Sequence, residues 1–257
     1  MVPAARRPRP ARHAINKSRT KTLPLPKNLT FISLEVYGTL IDWETGIYDA
    51  FQKEASKDGF TIDRDRLIPM FVETQREIMS GSYELYAEVL RRTAVRCAEE
   101  LGWELEPVRS SFLPDSIPRW MPFRDTNALL ERLKKKYPGT ADAPGGVGLI
   151  SNIDDKLLGA TRRHLRPDFD LVVTAQQVRS YKPDPAHFKE CKRRIGARTK
   201  WVHIATGLET DVIPCVKLKV PVIWIDRKKQ GWPQGQKGKP TEIVKDLRSA
   251  VKLLGAA

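Results

Sequence analysis

Four stretches of this chain carry side chains that could do chemistry together. They are Glu35, Tyr37, Gly38 and Thr39 in LEVYGTLID, Ser151 and Asn152 in LISNIDD, Lys182 in SYKPDPAHF, and Thr206, Gly207 and Asp211 in HIATGLETD. A carboxylate that attacks a substrate must be oriented and kept ionised, and a neighbouring ammonium lowers its pKa. Glu35 and Lys182 are residue types suited to such a pair. Each candidate also has an ordinary reading: Glu35 as a structural partner of Lys182, Ser151 and Asn152 as helix caps, Asp211 as an exposed first-turn acid. Lys182 precedes Pro-Asp-Pro, a turn that fixes its backbone. His187 and His203 have no paired nucleophile and are expected to pack or hydrogen-bond locally.

The elements that would position these residues read as an α/β alternation. LTFISLEVYG (29–38), GVGLIS (146–151), DLVVTA (170–175), WVHIAT (201–206) and VPVIWID (220–226) are short β-branched runs of the kind found in strands buried on both faces. Helical patterns fall between them at 153–164, 185–195, 208–217 and 241–254, which predicts a doubly wound, Rossmann-like parallel sheet. Asp184–Pro185 and Thr241–Glu242 are expected helix starts. More than a hundred residues separate the first two strands, with helical patterns at 46–58, 65–80 and 83–103, so a helical cap is expected as an insertion. The chain returns through a helix capped near Asp125. The expected organisation is a basic tail over 1–28, an α/β core over 29–44 and 121–257, and a cap over 45–120. In such sheets ligands gather at the carboxyl ends of the strands, where strand order reverses. The candidate residues all belong there.

Composition narrows the function classes. In 257 residues, 40% are hydrophobic and 30% charged, and no apolar run approaches the ~18 residues of a membrane span. The three cysteines, Cys97, Cys191 and Cys215, form no CxxC pair and suggest a reducing, cytoplasmic setting. The net charge is +14, but residues 1–28 hold eight cations and no acid, which leaves +6 for the rest. This Pro-rich tail is expected to stay unfolded, and its Arg-rich, acid-free character also admits an organellar targeting role.

The four stretches, in order and with the inserted cap, resemble the motifs of the haloacid dehalogenase superfamily, and most nearly its type II 2-haloacid dehalogenase branch. WIDR (224–227) resembles the segment after the family's last strand. The resemblance implies a hydrolase of carbon–halogen bonds in small 2-haloacids. A carboxylate at position 35 attacks the halogen-bearing carbon, and water then cleaves the ester. Lys182 holds the nucleophile, Asp211 positions or activates the water, and Tyr37, Thr39, Ser151 and Asn152 line the substrate site. No cofactor or metal is expected. The phosphatase branch places an acid two residues after its nucleophile, where Tyr37 stands here, and Gly207 stands where clustered metal carboxylates would be wanted.

Three positions depart from the family pattern. Glu35 replaces the nucleophilic Asp, and the added methylene moves the carboxylate by about 1.5 Å on a fixed backbone, enough to cost on the order of a hundredfold in rate. Phe188 replaces a tyrosine, and the cap arginine has only Arg76, about one turn late, as counterpart. The alternative expectation is an inactive scaffold of the same fold that binds RNA or another polyanion through KKK (134–136), KRRIGARTK (192–200) and RKK (227–229). A homodimer is left open.

Overall fold

A computed structural model describes residues 22–139 and 145–256. Most of the expected basic tail, residues 1–21, lies outside the described residues. Residues 22–28 run as irregular chain, with Leu25 packed against the core.

The strands are β1 (Phe31–Leu34), β2 (Gly146–Ser151), β3 (Leu171–Thr174), β4 (Trp201–Ala205), β5 (Val222–Ile225) and β6 (Glu242–Val244). All neighbouring pairs run parallel, in the order β3-β2-β1-β4-β5-β6. The alternation of side chains along each strand feeds two cores. Ile32, Leu34, Val147, Leu149, Val202, Ile204, Ile223 and Ile225 join one cluster, while Phe31, Ile150, Val173, Trp201, Val222 and Trp224 join the other. Both faces are therefore dry, which is why these segments read as nearly continuous apolar runs.

Between β1 and β2 stand α1 (Trp43–Ala55), α2 (Arg64–Met79) and α3 (Tyr86–Leu101), then two 3-10 turns (107–112 and 114–119) and α4 (Thr126–Lys136). Helices α1 to α3 pack on one another to form the inserted cap, and α2 against α3 is its most extensive helix pairing. The remaining helices are α5 (Asp155–Arg162), the single turn α6 (Ala175–Val178), α7 (Ala186–Ile195), α8 (Ile213–Leu218) and α9 (Leu247–Leu253). A wide helical turn, Leu208–Val212, leads into α8.

Some local expectations change. Thr241–Glu242 does not start a helix: Glu242–Val244 adds to the sheet beside β5, and α9 begins after Asp246, whose carboxylate accepts from Ser249 N at 2.7 Å. Asp125 precedes α4 without a side-chain capping bond. Asp184 does serve α7, accepting from Ala186 N at 2.8 Å.

The junction of cap and core is set by one long-range cap. Helix α3 is preceded by Leu85, which offers its N-terminus no side-chain acceptor. Asp154, buried in the core, supplies it, with Oδ1 accepting from Tyr86 N and Oδ2 from Ala87 N, both at 2.8 Å. Tyr181 O–H donates to Glu84 O at 2.8 Å beside it. Asp154→Ala is expected to cost about 1–2 kcal/mol in urea unfolding. An unchanged midpoint would show that these bonds do not tie cap to core.

Candidate active site

Strand order reverses between β1 and β4, and there the candidates meet. Leu34 pairs with Ile204, and Glu35 N continues the ladder to Ile204 O at 3.0 Å, so Glu35 emerges beside the turn that leaves β4. Its Oε2 accepts from Thr206 N at 3.0 Å, Gly207 N at 2.9 Å, Thr39 Oγ1 at 3.0 Å and Thr206 Oγ1 at 3.1 Å. Thr206 N also points at Thr39 Oγ1, at 3.0 Å. One carboxylate oxygen is thus anchored in a cradle of donors, and the other, Oε1, is left toward Asp211, with which Glu35 shares a hydrogen bond.

Asp211 is fully buried rather than an exposed first-turn acid. Its Oδ1 accepts from Lys182 Nζ at 2.5 Å and faces His203 Nε2 at 3.0 Å, and its Oδ2 accepts from Thr210 Oγ1 at 2.7 Å. The histidine tautomer follows from the next contacts. The Asp211 carboxylate can only accept, so Nε2 donates to it and Nδ1 of the neutral ring accepts from the Ser33 hydroxyl at 2.8 Å, whose oxygen accepts in turn from Trp201 Nε1 at 2.7 Å. Burial lowers the His203 pKa, in keeping with a neutral ring.

The two carboxyls differ in their support. Burial works against the charge on Asp211, yet the Lys182 ammonium and the His203 N–H hold it well below the usual carboxylate range. Burial and then the charge of Asp211 push Glu35 up to about 7, against the pull of Lys182. Lys182 therefore makes its ion pair with Asp211, and acts on Glu35 from further away, which changes the partner expected for it.

The other candidates fall around this centre. Asn152 grips the backbone of Lys182, accepting from its N at 2.8 Å and donating to its O at 3.1 Å, while Lys182 Nζ also donates to Ile150 O at 3.3 Å. Both amide atoms of Asn152 are spent on positioning the lysine. Thr39 is likewise spent on Glu35 and Thr206. Neither Asn152 nor Ser151 provides the cap of α5, which begins after Asp154. Ser151 ends β2, buried at the same edge of the sheet. Tyr37 O–H lies 2.7 Å from Thr161 Oγ1, and burial raises its pKa. Arg227, which the motif WIDR contributes, donates to Gly38 O at 3.1 Å and Thr39 O at 2.9 Å and stacks 4.2 Å from the Phe123 ring centre, holding the loop after β1 in place.

Phe188 packs between Trp201 and His203 in the second core. His187 is buried, with neither ring nitrogen hydrogen-bonded, and burial lowers it to about 3. Arg76 of the cap is exposed, paired with Glu73 and reaching Glu209 of the core at 3.5 Å. Ser33 and Trp201 stand behind His203 as partners that the sequence does not single out, their one local signal being their places on β1 and β4.

No family model matches the chain. A curated (S)-2-haloacid dehalogenase of Pseudomonas fluorescens is 24% identical over 223 residues, 86% of this chain and 94% of that relative. The structure of the L-2-haloacid dehalogenase from Xanthobacter autotrophicus superposes with a TM-score of 0.71 at 17% identity, covering 88% of this chain and 98% of that one. A HAD-hydrolase from Bacillus subtilis with magnesium bound gives 0.73 at 14% identity, covering 89% and 100%. The fold is thus shared with a magnesium-bound protein as well as with dehalogenases, so fold alone does not select the chemistry. The four motifs converge at the switch point beneath an inserted helical cap, and over this length the chain is similar to 2-haloacid dehalogenases and shares their fold.

Proposed function

We propose that this protein hydrolyses the carbon–halogen bond of a small 2-haloacid, with Glu35 as nucleophile. The observation that carries this reading is Tyr37. A leaving alcohol needs a proton from a nearby acid, but the Tyr37 hydroxyl is spent on Thr161 and burial raises its pKa further. A leaving halide needs no proton. Glu35 Oε1 attacks the carbon, the bonding pair departs with the halide, and an ester forms. Water then adds to the ester carbonyl, the bond to the original Oε1 side breaks, and a 2-hydroxy acid leaves with one proton of the water while the other goes to solvent. Asp211, held so far below the carboxylate range, is a weak base, and its part is to orient that water. Lys182 and His203 hold Asp211, Asn152 holds Lys182, Thr39 holds Glu35, and Ser151 is the group proposed to meet the substrate.

Magnesium is not required in this scheme. Asp211 already has Lys182, His203 and Thr210 on its oxygens, and among the described residues no group of three or more His, Cys, Asp or Glu is gathered that could hold a metal. The basic runs behind the polyanion alternative are partly engaged locally: Lys134 with Asp170, Arg193 and Arg194 with Glu190, and Lys228 with Glu44.

The test is halide release from 2-chloropropionate with and without chelator. Release is expected to be unaffected by chelator. Because Glu35 must be ionised to attack, kcat/KM is expected to rise with pH through about 7. A flat profile from pH 5 to 9, or release that depends on added magnesium, would remove the basis for the scheme.

A further inference from the structure

We propose that Gly207 is the residue that sets the site for glutamate: its missing side chain is the space into which the longer carboxyl arm of Glu35 folds. The backbone does not ask for glycine here. Gly207 has φ −65° and ψ 95°, a conformation open to any residue. The demand is for room. A Cβ built on Gly207 would lie 2.8 Å from Glu35 Oε1, 2.7 Å from Asp211 Oδ2 and 2.3 Å from Thr210 Oγ1, all closer than real Cβ contacts come.

None of these neighbours is free to retreat. Glu35 is pinned through Oε2 by Thr39, Thr206 and the Gly207 N–H itself. Asp211 is pinned by Lys182 and His203, and Thr210 is bound to Asp211. The added methylene of Glu35 is therefore absorbed sideways, over the turn that leaves β4, and the carboxyl still reaches two backbone donors at hydrogen-bond distance. An aspartate at position 35 would fall about 1.5 Å short of that cradle and leave the space over Gly207 empty. The longer acid at 35 and the bare position at 207 become one device.

A different explanation is that Gly207 is kept bare for Thr210 and Asp211 alone. The two explanations part in a double-mutant cycle of the full chain, comparing the native protein, Glu35→Asp, Gly207→Ala and the double variant. Gly207→Ala is expected to lower Tm by about 5 °C or more in the native background, and by clearly less in the Glu35→Asp background, where the nearest carboxyl oxygen has withdrawn. If Gly207→Ala alone does not fold, folding of the double variant supports the pairing, and failure of both overturns it. Additive Tm losses overturn it as well.

A second arm rests on the dehalogenase reading. On that reading Glu35→Asp is expected to release halide about a hundredfold more slowly than the native protein, since the cradle positions the longer acid. Faster release by Glu35→Asp would overturn the inference. A native protein that releases no halide from any 2-haloacid would remove the dehalogenase reading instead, and the Tm cycle would still decide whether Glu35 and Gly207 are matched.

Discussion

Lys182→Met is expected to destabilise the protein by about 3–5 kcal/mol near neutral pH, because it leaves the buried charge of Asp211 without its cation. Methionine keeps the unbranched stem, so packing changes little and the loss reports the charge. The lysine is 1% exposed and Asp211 fully buried, so water cannot replace the ammonium. Asp211 would keep the His203 and Thr210 donors and its hydrogen bond with Glu35 but no cation, and burial would then carry its pKa above its unfolded value of 3.8. The folded variant would bind a proton that the unfolded chain releases, so the deficit should shrink as pH falls toward 5. Halide release should also fall by at least about a hundredfold, since Asp211 and through it the water lose their fixed geometry. Urea unfolding at pH 5 and pH 8 reads the first effect. An equal deficit at both pH values would mean that the buried ion pair does not act in this way.

Glu35→Gln should separate function from stability in opposite directions. An amide cannot attack carbon, so halide release should drop to background. The same change should stabilise the protein above neutral pH. In the native chain Glu35 titrates near 7 when folded against 4.5 in the absence of its surroundings. Between those values the folded state holds more protons than the unfolded state, so stability is complete below about 4.5 and is lost as pH rises through 7. The loss amounts to roughly a few kcal/mol at most. Asp211 titrates with the opposite sign, but below its ordinary value of 3.8 and so outside this window. Glutamine has no charge to lose, its carbonyl can accept from Thr206 N and Gly207 N, and its NH2 can donate to Asp211. The variant should therefore show a flatter dependence of unfolding free energy on pH between 5 and 8 and exceed the native protein at pH 8. Parallel curves for the two proteins would contradict this account.

These expectations share one source, the unequal support of two neighbouring carboxyls. Asp211 has a cation and a neutral histidine, and it keeps its charge at any working pH. Glu35 has backbone and hydroxyl donors on one oxygen and an anion near the other, so its charge is available only once the solvent is basic enough. On the proposed scheme, a buried carboxylate with a raised pKa is a stronger nucleophile, once ionised, than a fully solvated acid. The buried His203 contributes by being unable to charge: Asp211 sets its tautomer, Ser33 backed by Trp201 donates to its other nitrogen, and a neutral N–H donor supports Asp211 without competing with Lys182.

Much of this protein was written locally. Strands buried on both faces announce themselves as unbroken β-branched runs, the helices between them by their apolar stripes, and the long interval after the first strand by its successive helical patterns. Position 35 at the end of β1, 151 at the end of β2 and 211 after β4 followed from that order, because a parallel sheet gathers its strand ends on one edge. Tertiary structure decided which side chains become partners. That Lys182 binds Asp211 and not Glu35, that Asn152 serves the lysine backbone, and that Asp154 caps a helix beginning at Tyr86 depend on distances across 29, 30 and 68 residues. No sequence period records such distances. Glu242–Val244 became a strand because β5 offered an open edge, where the sequence pattern alone suggested a helix start. The sequence likewise shows a glutamate where an aspartate was expected and a glycine 172 positions later, with nothing to connect them. Only packing, in which one side chain occupies the volume another leaves empty, makes them a pair.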